Sequence, residues 1–137
     1  MNLRKALPFV LGPILTYSGC AGINAYFHHN VETNDRGYKS FEKIDGAFDH
    51  TSLSFRGNNV TLNRRGFNYR LIEDNDSDGK VDRVFLAGNP FVRGSNSQSF
   101  DRDSDFNDNP AIFENADKEL REQLDRFGLD FKGNRTN

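Results

Sequence analysis

The sequence lacks the features by which nucleic-acid-binding proteins and many enzymes are recognised. Its formal net charge is −2 and no basic run is longer than the pair Arg64-Arg65, so nucleic acid is excluded as a predicted partner. It contains no nucleophile elbow, no zinc-protease motif and no phosphate-binding glycine loop. Because no catalytic set of residues can be named, an enzyme is not favoured.

Hydrophobic residues are also scarce. They make up 35% of the 137 residues, with no tryptophan and 13 phenylalanines. This share is below the average of globular proteins, which predicts a core of modest size. Phenylalanine is expected to supply much of that core. The length leaves room for one domain and a tail.

The first twenty residues have the pattern of a targeting segment. Arg4 and Lys5 precede an uncharged and mostly apolar stretch over residues 6–17. The small residues Ser18 and Gly19 then lead to the only cysteine, Cys20. The apolar stretch is short for a membrane-spanning helix and is interrupted by prolines.

This segment resembles the signal peptide and lipobox of prokaryotic lipoproteins, although Tyr17 stands where that family usually has an aliphatic residue. The resemblance implies that residues 1–19 are a signal peptide and that Cys20 is lipidated and becomes the mature N-terminus. Residues 20–39 are then predicted to be the lipidated cysteine and a flexible tether. An uncleaved N-terminal anchor is the alternative. Both place the protein outside the cytoplasm, anchored to the membrane, and lipidation leaves no cysteine for a disulfide or a thiol nucleophile.

Residues 40–137 are predicted to form a small α+β domain. Apolar and polar residues alternate through short runs separated by turn signals, which is typical of antiparallel strands with one buried face. These runs span residues 52–56, 60–63 and 67–71. A fourth strand is predicted at residues 81–87, inside the sheet, because its middle is apolar on both faces. Ahead of them, Phe41, Ile44 and Phe48 could form either a short strand or a turn of helix.

A long irregular loop over residues 91–108 is followed by one helix with clear boundaries. Asn109 is a suitable N-cap, Pro110 fits the first helical position, and Gly128 fits the left-handed position after the helix. The apolar stripe consists of Ile112, Ala116, Leu120, Leu124 and Phe127. The predicted fold class is therefore α+β, a small antiparallel β-meander of about four strands packed by this C-terminal amphipathic helix.

Residues 74–82 are the one stretch whose residue types and spacing require a specific chemistry. Carboxylates at alternate positions, followed by a glycine that permits a sharp bend, can converge on a hard cation that takes ~6–8 oxygen ligands. The predicted metal ligands are Asp74, Asp76, Asp78, the backbone carbonyl of Lys80, and Asp82. The predicted cofactor is calcium, since magnesium prefers fewer carboxylates and more water.

This run resembles the calcium loops of EF-hands, dockerins, thrombospondin type 3 repeats and integrin-type FG-GAP repeats. Phe85 stands where an EF-hand has its bidentate acid, so the strand–loop–strand forms are the closer match. We expect a weak site, with a Kd of ~10⁻⁴–10⁻³ M, unless Glu73 or an acid of the long loop supplies a further ligand. A solvated hairpin turn is the alternative.

A second acidic run, residues 101–108, has Phe106 where the glycine should stand and is predicted to be a polar loop.

Together these features predict an exported, membrane-anchored lipoprotein that acts as a cell-surface binding or structural module. They identify no protein or surface-polymer partner. One alternative is a small extracellular calcium-dependent hydrolase that uses the 91–108 loop and His50. Another is an exported domain with no metal site.

His28 and His29 are predicted to be solvated histidines of the tether, because no third metal ligand lies near them.

Overall fold

The computed structural model describes residues 28–46, 49–66, 69–89 and 91–136. The predicted signal peptide, the lipidation of Cys20 and the first part of the predicted tether lie outside these residues. None of the helices within the described ranges is long and apolar enough to cross a membrane.

Seven strands form one antiparallel sheet in which every strand pairs with its neighbours in chain order. They are β1 (His28–Asp35), β2 (Tyr38–Asp45), β3 (His50–Arg56), β4 (Asn59–Arg65), β5 (Arg70–Asp74), β6 (Arg83–Leu86) and β7 (Gln98–Asp101). A short helix α1 (Arg102–Asp105) and the long helix α2 (Pro110–Phe127) follow. The predicted α+β class with an antiparallel meander and a C-terminal helix is confirmed, whereas the prediction of about four strands is wrong.

A single row of apolar residues forms the centre of the core. Each member lies directly opposite the next on the neighbouring strand, across six consecutive strands. The row consists of Phe41, Leu53, Leu62, Ile72, Val84 and Phe100. All are buried except Phe100, which is partly buried against the others. Since side chains alternate between the faces of a sheet, this register places the apolar set of every strand on the same face.

Helix α2 covers that face. Its predicted stripe is confirmed, because Ala116, Leu120 and Leu124 are buried and Ile112 and Phe127 pack against the core. Phe113 is also fully buried, although it lies outside the predicted stripe. The helix begins at Pro110 and is followed by Gly128 in the left-handed conformation, with a φ of 66°. Asn109 occupies the N-cap position but makes no capping hydrogen bond with its side chain.

A buried acid on α2 forms ion pairs with two arginines of the sheet. Arg64 and Arg70 are direct partners on β4 and β5, where like charges repel. Glu119, which is 9% exposed, accepts a hydrogen bond at 3.0 Å from Arg64 Nη1 and another from Arg70 Nη1. The ion pairs therefore fix α2 across the middle of the sheet.

The start of the domain is earlier than predicted. Residues 28–39, expected to belong to the tether, form β1 and the beginning of β2. β1 was missed because its single apolar residue, Val31, is 41% exposed, so the strand has no apolar face for a pattern to reveal. The segment around Phe41 and Ile44, which the pattern left open, is strand β2.

Two further boundaries differ from the prediction. The third predicted strand, residues 67–71, is replaced by β5 at Arg70–Asp74, because Ile72 rather than Leu71 faces the core. The predicted loop 91–108 contains β7 and α1 in its second half. β6 lies between β5 and β7, as the apolar residues on both of its faces predicted.

The meander gives the sheet two distinct ends. The connections β1–β2, β3–β4 and β5–β6 lie at one end, which we call the Asp74 end. The connections β2–β3, β4–β5 and β6–β7 lie at the other, the His28 end, where the chain also enters β1. The predicted metal loop is the β5–β6 connection and belongs to the Asp74 end.

The chain ends in a tight hairpin over residues 129–135 that packs on the core. Leu129 and Arg135 form an isolated β-bridge, and the Gly133 amide donates to the Asp130 carbonyl at 3.1 Å. Gly133 has a φ of 73°, and a Cβ atom on it would lie 2.7 Å from Cγ of Phe55. Only glycine therefore lets this hairpin approach the Phe55 ring.

We predict that Gly133→Ala lowers the unfolding free energy by about 2 kcal/mol or more, because it adds a steric conflict with Phe55 to the cost of a left-handed alanine. Gly57→Ala is the matched control, since Gly57 has a φ of 61° and open space around its Cβ position. We expect a loss of about 1 kcal/mol for the control. Urea denaturation measures both, and equal losses would contradict the packing of the hairpin against Phe55.

Candidate metal centre

The loop begins with a carboxylate that lies inside the core. Asp74 is the last residue of β5, and it faces the same side of the sheet as Ile72, two residues earlier. It lies directly opposite Val60 and has no exposed surface. An acid in this position requires hydrogen-bond donors, because an unpaired buried charge is costly.

The loop supplies those donors by winding round the Asp74 side chain. Oδ1 accepts from the amides of Asp76 at 3.2 Å and Ser77 at 2.7 Å. Oδ2 accepts from the Gly79 amide at 2.9 Å. Two left-handed residues, Ser77 with a φ of 60° and Gly79 with a φ of 83°, make the turn that brings these amides inward.

The next two acids, like Asp74, each accept a hydrogen bond from the backbone amide two residues later. Asp76 Oδ1 accepts from the Asp78 amide at 3.1 Å, and Asp78 Oδ1 accepts from the Lys80 amide at 2.7 Å. One carboxylate oxygen from each of Asp74, Asp76 and Asp78 lies within 4.8 Å of the other two. These three acids, one buried and two exposed, could therefore hold a metal ion.

The structure brings together three of the five predicted ligands. The fourth acid, Asp82, lies outside this cluster, and its Oδ2 accepts from the Asn75 amide at 2.6 Å, which closes the neck of the loop. Lys80 is exposed, and its backbone carbonyl stays a predicted ligand, as does Asp82. Glu73, considered as a further ligand, lies 3.5 Å from Arg83 Nη1 instead.

Burial dominates the electrostatics of Asp74. Desolvation raises the pKa of its carboxyl above the ordinary value of 3.8, while the hydrogen bonds from Gly79, Asp76 and Ser77 lower it by less. In the absence of a cation, the site therefore disfavours the charged form of this one acid. A bound cation would reverse that preference, because metal ligands must be deprotonated.

Arg102 holds the exit of the loop against α2. Its Nε donates to the Val81 carbonyl at 2.5 Å, and its Nη2 donates to Asp117 Oδ1 at 2.6 Å. The same Asp117 oxygen accepts from the Val81 amide at 2.7 Å. The guanidinium also lies over the rings of Phe106 and Phe113, 5.2 Å and 5.1 Å from their centroids. Sequence reasoning missed this residue, because it stands within an acidic run and its partners are remote along the chain.

Other elements hold the rest of the loop. Ser77 Oγ donates to the Asn58 carbonyl in the β3–β4 turn at 2.6 Å. Arg121 Nη2 donates to the Gly79 carbonyl at 3.4 Å. A Cβ atom on Gly79 would lie 3.2 Å from Cζ of Phe131 in the C-terminal hairpin, so a larger residue would press on that ring. The loop thus contacts four other parts of the domain.

The remaining candidate groups form no comparable site. Asp101 caps α1 by accepting from the Asp103 amide, and Asp105 Oδ2 accepts from the Asp101 amide at 2.7 Å, so the second acidic run is used locally. His50 Nε2 lies 3.4 Å from a carboxylate oxygen of Glu42. Within the described ranges, no second group of three or more potential metal-ligating side chains occurs.

Comparisons of the chain with known protein families, with curated proteins and with solved structures find no match in any of the three.

We predict that, in chelator, Asp74→Asn changes the pH dependence of stability. Since the pKa of Asp74 is raised, the folded wild type retains a proton that the unfolded chain loses. Its contribution to the unfolding free energy is therefore complete below pH 3.8 and is lost as the pH rises through the folded pKa. As the pH rises from 3.8 through the folded pKa, the unfolding free energy of Asp74→Asn should therefore fall less than that of the wild type.

Urea denaturation from below pH 3.8 to neutral pH measures the difference between wild type and variant. Asp103→Asn, which alters an exposed acid outside the loop, is the control. Wild-type and Asp74→Asn curves that run parallel across this range would show that burial does not raise the pKa.

Proposed function

We propose that the 74–82 loop is a calcium site and that the protein is an exported, membrane-anchored lipoprotein acting as a cell-surface binding or structural module. The observation that carries the metal proposal is the convergence of Asp74, Asp76 and Asp78 within 4.8 Å, with Asp74 buried. The sequence pattern that carries the anchor proposal is the segment that ends at Cys20.

Calcium suits the donor set better than other common metals. The cluster offers only carboxylate oxygens, without the sulfur or imidazole nitrogen that zinc and copper prefer. Three carboxylates in one turn repel each other, and a divalent cation offsets that repulsion. The Lys80 carbonyl, Asp82 and water are the candidates to complete the ~6–8 ligands, with a Kd of ~10⁻⁴–10⁻³ M.

A structural role follows from the contacts of the loop. The loop is hydrogen-bonded to the β3–β4 turn, α1 and α2, and its Gly79 packs against Phe131 of the C-terminal hairpin. A cation that fixes the loop therefore stabilises the packing of all four. Binding to the folded state alone raises stability by RT ln(1 + [L]/Kd), about 1.4 kcal/mol at tenfold over Kd. Calcium outside the cell would then keep the module in its folded state.

The groove beside the β6–β7 connection does not support the hydrolase alternative. It has a volume of about 320 Å³, and the described residues that line it include no acid and no histidine. His50, the histidine considered for such a site, is not among its lining residues. A calcium-dependent hydrolase is therefore not proposed.

We predict that calcium raises the melting temperature of the wild type but not that of Asp76→Ala/Asp78→Ala. The double variant removes two of the three clustered carboxylates, which leaves too few ligands for a cation. Asp103→Ala/Asp108→Ala is the matched control, because it removes the same charge from exposed positions outside the loop. Thermal melts in millimolar calcium, in magnesium and in chelator measure the effect.

A calcium response in the loop variant equal to that of the control would show that general screening, not a site, stabilises the protein. If no variant responds at millimolar calcium, the loop is an acidic turn and the metal proposal is wrong.

We predict that the native protein begins at a lipid-modified Cys20. Signal-peptide cleavage removes residues 1–19, and lipidation adds acyl chains to the cysteine. Mass spectrometry of the protein purified from its own membranes measures both changes. An intact Met1 would contradict the lipoprotein proposal, and Cys20→Ser, which cannot be lipidated, is the control.

A further inference from the structure

The β6–β7 connection exposes two adjacent apolar side chains. Phe91 is 81% exposed and Val92 is 55% exposed, the largest exposures among the large hydrophobic residues of the described ranges. Arg93, the next residue, is also exposed. Burying a Phe and a Val in an apolar environment is favourable, so a pair held in water at the tip of a connection indicates a surface that is covered in the working protein.

Hydrogen bonds within the connection hold this tip in place. The Phe91 amide donates to Asn89 Oδ1 at 2.9 Å, and the Val92 amide donates to the Asn89 carbonyl at 3.1 Å. Across the base, the Asn89 amide donates to Ser95 Oγ at 2.7 Å. A Cβ atom on Gly88 would lie 2.6 Å from the Ser95 carbonyl oxygen, so the two sides are in close contact. The local fold thus presents the apolar pair outward.

The charge around the tip favours an anionic surface as the partner. Residues 86–100 contain no acid, although the chain has 20, and Arg93 is their single charge. The neighbouring β4–β5 connection at the same end of the sheet begins with the exposed Arg65. The clustered acids Asp74, Asp76 and Asp78 lie at the opposite end. The two acids of the β2–β3 connection at the His28 end, Asp45 and Asp49, form ion pairs with Arg126 and Arg64.

With the proposed anchor on Cys20, the path of the chain would bring the His28 end to a membrane. β1 begins at His28, opposite Asp45, so the chain enters the domain at the same end as the β6–β7 connection. Residues 21–27 separate Cys20 from that entry and can span at most about 25 Å. A lipid on Cys20 therefore holds the His28 end close to the bilayer. This step rests on the proposed anchor, whereas the exposed tip does not.

We propose that Phe91 and Val92 insert into the interface of an anionic lipid bilayer while Arg93 binds lipid phosphate. The tip is a second membrane contact beside the anchor. A small apolar tip binds membranes weakly by itself, but a linked lipid anchor raises the effective concentration of the tip at the bilayer and so strengthens this contact. The domain is thereby oriented with its metal loop facing away from the membrane.

The absence of tryptophan provides a direct test. Phe91→Trp introduces a single fluorophore at the tip, and Tyr38→Trp introduces one at the Asp74 end, at a side chain that is 40% exposed. Each variant, in its lipidated form beginning at Cys20, is mixed with vesicles of anionic and neutral phospholipid that carry a quencher on their acyl chains. We expect a blue shift and quenching for Phe91→Trp, and neither change for Tyr38→Trp.

The same vesicles distinguish failure of this inference from failure of the anchor. A variant that begins at residue 21 lacks both the lipid and the apolar segment and keeps every described residue. In the Phe91→Trp background, its quenching should persist at higher vesicle concentration. If that variant is quenched although Cys20 proves unmodified in the native protein, the tip binds lipid and only the anchor proposal fails. If the lipidated protein sediments with vesicles while Phe91→Trp is quenched no more than Tyr38→Trp, the inference is overturned. Sedimentation without additional quenching of Phe91→Trp is also the result expected if the tip binds a protein partner instead of lipid.

Substitution of the tip supplies a second measurement. In the variant that begins at residue 21, Phe91→Ser/Val92→Ser should weaken vesicle binding at least about tenfold, and Arg93→Gln should weaken binding to anionic vesicles about fivefold. Val31→Ser, which removes a 41% exposed apolar side chain from β1, is the control and should leave binding unchanged. Equal affinities for the tip variants and the control would contradict the inference.

Discussion

The burial of one carboxylate, Asp74, determines the shape of the candidate site and much of its surroundings. Strand geometry forces it inward, because Ile72 belongs to the core row and Asp74 follows two residues later on the same face. A buried acid must be hydrogen-bonded, and the amides of the next turn are the donors that reach it. The winding of the loop is therefore a consequence of the register of the sheet. The exposed acids Asp76 and Asp78 are carried to the same side as Asp74 by that winding.

The loop and the rest of the fold depend on each other. Its exit is fixed by Arg102 and Asp117, which come from two different helices, and its glycine packs under Phe131 from the C-terminal hairpin. On α2, Asp117 and Arg121 bond to the loop region rather than forming the ion pairs along the helix that a lone helix would make. Stability and site geometry are thus carried by the same contacts. A change in one is expected to appear in the other.

The parts of the fold that the sequence could predict are those with a local pattern. Alternation predicted β3 and β4, and the signals at Pro110 and Gly128 predicted α2, because single-face burial and capping are local effects. β1 and β7 have one apolar residue each, and only pairing with a neighbouring strand makes them strands. The clustering of three predicted metal ligands could also be predicted, because these acids stand at alternate positions within one turn. The partners of Arg102 are separated from it by 15 and 21 residues, so no local pattern indicates them.

β1, which the sequence pattern missed, determines which end of the domain would face the proposed anchor. In a meander, successive strands reverse direction, so the end at which the chain enters depends on the number of strands. With β1 present the chain enters at His28, at the end opposite the metal loop. A sheet that began with β2 would be entered at Tyr38, beside the β3–β4 turn and the acidic loop. The acids would then face the negative surface of the bilayer, which repels them and competes for the cation. Residues 30–35 of β1 are all exposed. Under the proposed anchor, the effect of β1 would be to separate the acidic end of the domain from the tethered end.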